Sequence, residues 1–405
     1  MRISLVSEHA NPLAALGGAD AGGQNVHVAA LAAGLAARGH DVTVHTRRDS
    51  LSAPERVVTG EGYVVDHVLA GPPTEVPKDE LLPYVPELGA ALRERWRIEP
   101  PDLVHAHFWM SGLAALDGVA GTTIPVVQTF HALGSVKQRQ QGTQDTSPPA
   151  RIAHERRLCR EVDQVIATCR DEVDELVALG LDPERARVIP CGVDTTVFRP
   201  GPRRPRRTHR LLSLGRLVTR KGVGNAIEAV ALLSRQHHRD VELLVAGGPP
   251  PDLLAADPEV QRLQALADRL EVAERVTFLG SVDRGDVPAL VRSVDVVVTV
   301  PWYEPFGIVP LEAMACGRPV VGSAVGGLLD TILPGRTGDL VPPRDPEALA
   351  RTLRDLLADR ARRRRYGIAG RRRAVELYDW RTVVARTEAA YEEVLAAVTV
   401  KETAR

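Results

Sequence analysis

Short apolar segments alternate with segments of helical periodicity along almost the whole chain. In the first half, apolar strands are predicted at residues 2–7, 41–46, 103–106, 126–129, 165–168 and 188–190. The segment 26–37 between the first two has Val28, Leu31 and Leu35 at helical spacing, with Gly39 just beyond its end, as an amphipathic helix requires. Strands separated by helices predict βαβ units, a parallel sheet and right-handed crossovers.

The alternation stops near residue 200 and then starts again. Residues 198–210 read FRPGPRRPRRTHR, which is rich in Pro and Arg and typical of a linker. Beyond it, strands are predicted at residues 211–214, 241–246, 276–279 and 294–300, and helices at 223–234 and 307–315. We therefore predict an α/β fold of two Rossmann-like, doubly wound parallel-sheet domains, 1–197 and 198–380. Ligands of such sheets bind at the carboxyl ends of the strands, and two facing domains place the main site in the cleft between them.

Composition excludes several classes of protein. The chain has 51 basic and 52 acidic residues, a net charge of −1, which gives no general attraction to nucleic acid or to an anionic membrane. The N-terminus has no apolar core of a signal peptide, and no run of about 18 apolar residues predicts a membrane span. The sequence contains no C-x-x-C pair, and its four cysteines are Cys159, Cys169, Cys191 and Cys316. This pattern predicts reduced thiols and a cytoplasmic location.

Two arginine runs, at residues 362–365 and 371–373, fall in a predicted helical stretch near the C-terminus. Charge runs of this kind usually form a solvated helix face. A patch that binds phosphate or a partner is the alternative interpretation.

A glycine-rich segment follows the first predicted strand. Residues 17–25 read GGADAGGQN and lead into a helix, whose N-terminus offers unpaired N–H groups and a positive dipole end to a phosphate. The order of the glycines is neither G-x-G-x-x-G nor that of a P-loop, so it supports neither a dinucleotide-binding protein nor an ATPase. A flexible turn is the alternative for this segment taken alone.

A second loop, LGRLVTRKG at residues 214–222, lies between a predicted strand and a helix. Arg216 and Lys221 lie on either side of it, and a guanidinium with an ammonium group suits a diphosphate. Two unrelated surface charges are the alternative interpretation of this pair.

A third segment, VPWYEPFGIVPLEA at residues 300–313, also follows an apolar strand. Glu304 lies in its loop and Glu312 in the helix that follows. Carboxylates accept hydrogen bonds from hydroxyl groups, which suits a sugar and a ribose. Gly307 and Ile308 begin the helix, where free N–H groups can bind a phosphate. Glu312 lies in an otherwise apolar helix, so a plain surface charge is a poor interpretation of it.

These three segments together resemble the retaining group 1 glycosyltransferases of family four, which have the GT-B fold of two Rossmann-like domains facing across a cleft. The resemblance covers essentially the whole chain. It rests on the E-x7-E pattern with Phe306-Gly307, on MACG at 314–317 and PVV at 319–321, and on Gly22-Gly23, Gly215-Arg216 and Lys221-Gly222. It implies transfer of a hexose-type sugar from a nucleotide-diphosphate sugar, with retention of the anomeric configuration.

The resemblance implies roles for individual residues. Glu304 would bind hydroxyls of the donor sugar, Glu312 the ribose, and the two cations the departing diphosphate. Catalytic roles are implied for Arg216, Lys221, Glu304 and His131. Donor-binding roles are implied for Gly22, Gly23, Glu312, Gly307, Ile308 and Val309. The C-terminal helix, at 381–405, would pack back on the first domain.

Within the family, the first half resembles the mycothiol glycosyltransferases, which move N-acetylglucosamine to inositol phosphate, and the sucrose-phosphate synthases. The shared pieces are DAGGxNV at 20–26, HxHxWxSG at 105–112 and HxLGxVK at 131–137. Acceptor-binding roles are thereby implied for Asn25, Lys78, His107 and Arg151. Phe108 and Ala132 replace a Tyr and a Thr of the inositol-phosphate enzyme, so another phosphorylated or polar acceptor stays open.

No D-x-D motif occurs at a predicted strand end, so we expect no metal and no other cofactor, with Arg216 and Lys221 neutralising the diphosphate. The expected partners are a donor, UDP-glucose or UDP-N-acetylglucosamine, and a small acceptor such as a cyclitol, a sugar phosphate or a natural-product scaffold. We expect no nucleic acid and no stable membrane association, and the oligomeric state is open. The alternatives are a sugar-nucleotide-binding protein without catalysis, an ADP- or GDP-sugar donor, and a lipid acceptor. A dinucleotide-dependent oxidoreductase or epimerase would need the missing G-x-G-x-x-G.

Overall fold

The computed structural model describes residues 1–14, 23–202, 207–235 and 240–403. They form two structural units, Met1–Pro190 with Trp380–Arg405, and Cys191–Asp379. Cys191, Val193 and Phe198 are buried in the core of the second unit, so the chain enters that unit ahead of the Pro- and Arg-rich segment. Each unit has a parallel sheet covered by helices, which confirms the predicted α/β class with two Rossmann-like domains.

The first unit is built on an eight-stranded sheet. Its strands are β1 (Arg2–Val6), β2 (Asp41–Arg47), β3 (Arg56–Val58), β4 (Val64–Val68), β5 (Leu103–His107), β6 (Val126–Thr129), β7 (Gln164–Ala167) and β8 (Ala186–Val188). The order is β3-β4-β2-β1-β5-β6-β7-β8. All neighbours are parallel except the edge strand β3, which pairs with β4 antiparallel. The last strand ends before the predicted segment 188–190 does, since Pro190 lacks the N–H that a ladder needs.

The helices of the first unit connect these strands and cover the sheet. They are α1 (Gly23–Ala37), α2 (Val85–Ile98), α3 (Trp109–Val119), α4 (Gly134–Gln141), α5 (Arg151–Glu161) and α6 (Arg170–Ala178), joined by the C-terminal helix Trp380–Thr403. The C-terminal helix packs on α1: Val384 contributes to the core with Leu31 and Leu35. A Cβ added at Gly34 would lie 2.4 Å from Cγ2 of Val384, so this close approach requires glycine.

The second unit is built on a six-stranded, fully parallel sheet. Its strands are β9 (His209–Leu214), β10 (Val241–Ala246), β11 (Val276–Gly280), β12 (Val296–Thr299), β13 (Val320–Ser323) and β14 (Gly338–Val341), in the order β11-β10-β9-β12-β13-β14. Its helices are α7 (Val223–Arg235), α8 (Pro258–Arg269), α9 (Val287–Arg292), α10 (Ile308–Ala315), α11 (Leu328–Thr331), α12 (Pro346–Ala358) and α13 (Arg360–Leu377). The C-terminal helix is therefore α14.

The interpretation of the two arginine runs as a solvated face is wrong for four of their side chains. Arg363 is buried and donates to the carbonyl of Leu356. Three others donate to groups of the second unit: Arg362 to Asp339, Arg371 to the carbonyls of Thr195, Phe198 and Ala315, and Arg373 to the carbonyls of Asp330 and Thr331. Five N–H donors on one side chain make arginine well suited to this use. These arginines fasten α13 to neighbouring segments.

None of the helices in the described part of the chain combines the length and the apolar character that a bilayer crossing requires.

Candidate donor and acceptor sites

The loop after β9 is held against the end of β12 by a glycine. Gly222 has φ +73°, and a Cβ added there would lie 1.9 Å from the carbonyl oxygen of Val300. The 3₁₀ turn Thr219–Lys221 is therefore pressed against the segment that contains Glu304. Since β9 and β12 are neighbours in the sheet, both loops leave the same edge.

Lys221 and Glu304 form an ion pair at this edge. Nζ of Lys221 donates to Oε2 of Glu304, and both side chains are largely sequestered, with 25% and 15% of their surface exposed. The backbone of the Glu304 loop is fixed too, because its carbonyl accepts the N–H of Gly327 at 3.0 Å. The structure thus brings together two of the residues that the sequence singled out.

The 3₁₀ turn and the residues before it carry several positive charges close to Glu304. Arg216 is exposed next to it, and Arg220 lies in the same turn. Burial lowers the pKa of Arg220, the positive charge of Arg216 lowers it further, and Glu304 partly offsets both. A pKa lowered by a like charge means that a bound anion would relieve the repulsion. The turn is therefore suited to a phosphate or diphosphate.

The N-terminus of α10 lies beside this ion pair. Gly307 precedes the helix at φ +87°, and among the described residues no side chain caps the first turn. A Cβ on Gly307 would lie 3.5 Å from Cγ of Glu304. The N–H groups of the first turn, which include Ile308 and Val309, have no intrahelical acceptor. They form a ready anion site, as the sequence predicts.

Glu312, one turn into α10, is almost completely buried and pairs with Arg284. Burial raises the pKa of the Glu312 carboxyl, and the guanidinium of Arg284 opposes that rise. Arg284 also lies over the ring of Phe198, 4.8 Å from its centroid. Sequence reasoning missed Arg284, which follows β11 outside any motif. In this structure Glu312 is thus a buried carboxylate with a cationic partner.

We expect Arg284→Ala to destabilise the protein by about 3 kcal/mol at neutral pH, because it leaves the Glu312 carboxylate buried without its cation. For a unit of this size that corresponds to a fall of about 5–10 °C in the unfolding temperature. Burial already raises the folded pKa of Glu312 above its unfolded value, and the substitution raises it further. The loss of stability relative to the wild type is therefore complete above the pKa of Glu312 in the folded variant. It shrinks as the pH falls through that pKa.

Calorimetric unfolding at neutral pH and at progressively lower pH tests this expectation. Arg284→Lys, which keeps the positive charge, is the matched control. A deficit that stays constant as the carboxyl becomes protonated would contradict the assigned pairing of Arg284 with Glu312.

The first unit carries the other sequence-predicted residues. Gly22 lies outside the described residues, and Gly23 is the exposed first residue of α1. Asn25 is buried, and its side-chain amide donates to the carbonyl of Asn11 at 2.9 Å. The adjacent Gln24 donates to the carbonyl of His107 at 3.3 Å. These bonds fasten the start of α1 to the ends of neighbouring strands.

Two cationic side chains, Lys78 and Arg151, each lie close to the ring of Phe108. Nζ of Lys78 lies 5.7 Å and the guanidinium carbon of Arg151 5.0 Å from the ring centroid. Phe108 has φ 82° and ψ 156°, a region that is essentially restricted to glycine and is found where function imposes strain. Two cations on one aromatic ring provide a binding place for an anionic ligand group.

Arg151 also anchors the turn that contains His131. Its Nε donates to Glu155 at 2.8 Å and its Nη2 to the carbonyl of Ala132 at 2.6 Å. Glu155 is completely buried and accepts the N–H of Gly134. Three of the five donors of Arg151 are occupied, since Nη1 also donates to Ser147 at 3.2 Å. Within the described residues, the other two donors have no acceptor.

A third group, which sequence reasoning missed, lies against the same aromatic ring. The His9 ring meets Phe108 edge-on, with centroids 4.8 Å apart. Its Nδ1 lies 2.7 Å from Oε1 of Glu8, and the other oxygen of this buried carboxylate accepts from Ser111. Their positions in the sequence could have identified these residues. Glu8 and His9 follow the first predicted strand, and Ser111 lies in the HxHxWxSG segment.

His107 and His131 belong to a cluster of four imidazoles that also contains His27 and His105. Nδ1 of His107 lies 3.0 Å from Nε2 of His131, and the His105 ring lies 4.2 Å from that of His107 between centroids. Burial lowers the pKa of His27 to about 4 and that of His105 to about 3. The cluster is therefore uncharged at neutral pH. His107 is fully buried, and it contacts the partly exposed His131 from the interior of the unit.

Comparison with known proteins identifies the family of the chain. Residues 21–197 match the family described as Glycosyltransferase Family 4, and residues 194–373 match Glycosyl transferases group 1. The chain is 36% identical over 373 residues to a D-inositol 3-phosphate glycosyltransferase of Mycobacterium marinum, covering 89% of this chain and 78% of that protein. It is 37% identical to the enzyme of that name from Geodermatophilus obscurus, covering 98% and 91% of the two chains.

Solved structures give the same result for the fold. A sucrose-phosphate synthase from Thermosynechococcus elongatus superimposes with a TM-score of 0.88 at 31% identity, covering 98% of this chain and 99% of that one. Anabaena HepE, solved with UDP and glucose, superimposes with a TM-score of 0.73 at 20% identity over 97% and 99% of the two chains, and shows the fold alone. The chain therefore belongs to the group 1, family 4 glycosyltransferases, which have the GT-B fold and use a nucleotide sugar.

Proposed function

We propose that this protein is a retaining, metal-independent glycosyltransferase that moves a hexose-type sugar from a UDP-sugar to a small phosphorylated polyol. The observation that carries the proposal is the group at the edge of the second sheet. There Lys221 pairs with Glu304 beside an arginine-rich turn and the uncapped N-terminus of α10. Such a group matches the charges of a diphosphate and the hydroxyls of a sugar.

The leaving diphosphate is where negative charge grows during the reaction. Arg216, Lys221 and the first N–H groups of α10 are preorganised positive groups that stabilise this charge, which removes the need for a metal ion. In this account Glu304, in the loop before α10, accepts hydrogen bonds from hydroxyls of the donor sugar, and Glu312, within α10, binds the ribose. These roles follow the family resemblance residue by residue.

In this account the acceptor hydroxyl attacks the anomeric carbon from the same face that the leaving group departs from, which retains the configuration. In this account the leaving phosphate oxygen takes the proton of the acceptor hydroxyl, so no protein side chain is needed as the base. A glycosidase would need two carboxylates flanking one bond. Here the buried Glu312 is held by Arg284 instead, which argues against that reading of the two glutamates.

The acceptor side of the proposal rests on the first unit. Lys78 and Arg151 converge on Phe108, and two cations suit a phosphate monoester. The relatives named D-inositol 3-phosphate glycosyltransferase and sucrose-phosphate synthase support an acceptor of this chemical class. Phe108 lacks the hydroxyl of a Tyr, so we propose a sugar phosphate or another cyclitol phosphate alongside inositol phosphate. A cytoplasmic location is part of this proposal, because the sequence contains no C-x-x-C pair.

The test is an assay of the purified full chain against UDP-, ADP- and GDP-sugars with phosphorylated and neutral polyols. We expect a UDP-sugar and a phosphorylated acceptor to give a glycosylated product, with its anomeric configuration determined by NMR. Inversion would contradict the proposed stereochemistry, and activity lost on chelation would contradict metal independence. Nucleotide binding without any product would favour the alternative of a binding protein.

We expect Lys78→Ala to raise the KM for the phosphorylated acceptor by roughly 10–100-fold, the effect of losing one charge-assisted hydrogen bond. The kcat at saturating acceptor should change little, because Lys78 does not touch the reacting bond in this account. Steady-state kinetics with a phosphate ester and with the matching neutral polyol measure the effect. Equal sensitivity of both acceptors to the substitution would contradict a phosphate contact at Lys78.

A further inference from the structure

His107 and His131 are joined by one hydrogen bond whose direction determines the chemistry of the site. His107 is the last residue of β5, and His131 follows β6 in a left-handed backbone conformation with φ 61°. Nδ1 of His107 faces Nε2 of His131 at 3.0 Å, and the two rings stack with centroids 5.2 Å apart. His131 is the partly exposed member of the pair.

Both rings are neutral at neutral pH. Burial lowers the pKa of His107 and of His131 well below the ordinary value, and the neighbouring imidazoles lower both further. A neutral imidazole carries one N–H and one bare nitrogen. The bond between the rings therefore contains one proton, which belongs either to Nδ1 of His107 or to Nε2 of His131.

The other nitrogen of His107 decides between these arrangements. Nε2 of His107 is buried and has no hydrogen-bond partner among the described residues. If His131 were the donor, this Nε2 would have to carry a proton, and a buried N–H without an acceptor is rare in native proteins. If His107 is the donor, only a lone pair is left there. The second arrangement leaves no buried N–H of His107 without an acceptor.

The ring on the other side of His107 has a fixed tautomer as well. The Thr129 hydroxyl donates to the carbonyl of Ile166 at 2.9 Å, so it must accept from Nε2–H of His105, 2.9 Å away. Nδ1 of His105 then accepts from the hydroxyl of Tyr391 on α14 at 2.7 Å. The partners of His105 thus assign the protons of the ring that lies beside His107.

We propose that His107 is a positioning residue that fixes His131 as its Nδ1–H tautomer, so that His131 offers a hydrogen-bond donor to the substrate. A donor there suits an oxygen acceptor, either a sugar hydroxyl or a phosphate oxygen. The identity of the group that His131 contacts rests on the proposed function, whereas the tautomer rests on the hydrogen bonds alone. The strained backbone of His131 is consistent with a ring held for a ligand.

Nitrogen NMR of the full chain with ring-labelled histidine tests the proposal, because protonated and bare ring nitrogens give separate signals. His131→Gln identifies the signals of that ring. In the wild-type protein we expect Nδ1 of His131 to be protonated and Nε2 to be bare. A proton on Nε2 of His131 overturns the inference. This measurement uses the wild-type protein, so it does not depend on whether a His107 variant folds.

Two substitutions of His107 separate positioning from packing. His107→Asn keeps an N–H donor close to the position of Nδ1, and His107→Leu removes it. We expect Asn to preserve the His131 tautomer and most of the turnover. Leu should release the tautomer and lower kcat about tenfold, the effect of one lost hydrogen bond, with unchanged affinity for UDP.

The outcomes distinguish this inference from the proposed function. A His131 tautomer that is unchanged in His107→Leu overturns the inference. A released tautomer with unchanged turnover supports the assignment of the protons and instead contradicts the substrate contact of His131 in the proposed function.

Discussion

Replacing Glu304 by Gln lowers kcat by roughly 10²-fold in our account, the effect of removing one preorganised polar group from a site of charge development. Affinity for UDP changes far less, because UDP lacks the sugar whose hydroxyls Glu304 binds. Gln keeps the shape of the side chain but loses the charge that pairs with Lys221. Steady-state kinetics and calorimetric titration with UDP measure the two effects.

Glu242→Gln is the matched control, because Glu242 lies in the same unit on β10 and pairs with Arg210 at 2.8 Å. We expect this variant to keep full turnover. Turnover that is unchanged in Glu304→Gln, or a loss equal in both variants, would remove Glu304 from the proposed mechanism.

The double substitution Arg216→Ala with Lys221→Ala weakens UDP binding by about 3 kcal/mol or more, since hydrogen bonds to a charged group contribute about 1.5–3 kcal/mol each. That is at least roughly a 10²-fold rise in Kd. Uridine, which has no diphosphate, should bind the variant and the wild type equally. Calorimetry with both ligands measures the difference.

A charge-matched control is Arg235→Ala with Arg269→Ala, since both arginines are exposed in the same unit. It also removes two positive charges, and it should leave the affinities for UDP and for uridine unchanged. Equal weakening of UDP and uridine in the Arg216 and Lys221 variant would show damage to the unit as a whole. UDP affinity that is unaltered would contradict a cationic diphosphate site.

The sequence predicts which segments of the second unit lie together at this edge, because strand topology brings them there. Arg216 and Glu304 lie in loops after β9 and β12, which are neighbours in the sheet. A helix N-terminus after Gly307 is likewise a local feature that a sequence shows directly. The strand order and the residue types are therefore enough to predict which charged groups lie at this edge.

What the sequence does not show are contacts between distant segments. Arg284 pairs with Glu312 from a loop without a motif, and the His105–Tyr391 bond joins residues 286 positions apart. The arginines of α13 bind carbonyl groups, which are present at every residue and leave no pattern. The strands β3 and β4 were not predicted either, and β3 is only three residues long, which is too short to show a pattern.

The most direct test of the central claim is mass spectrometry of the full chain incubated with a UDP-sugar and a phosphorylated polyol, with UDP release followed in parallel. Our account predicts a product heavier than the acceptor by one hexose-type unit, and UDP release that depends on the acceptor and is lost in Arg216→Ala with Lys221→Ala. No transferred sugar with any nucleotide sugar and acceptor, or product formation that is unaffected by removing the two cations, would contradict it.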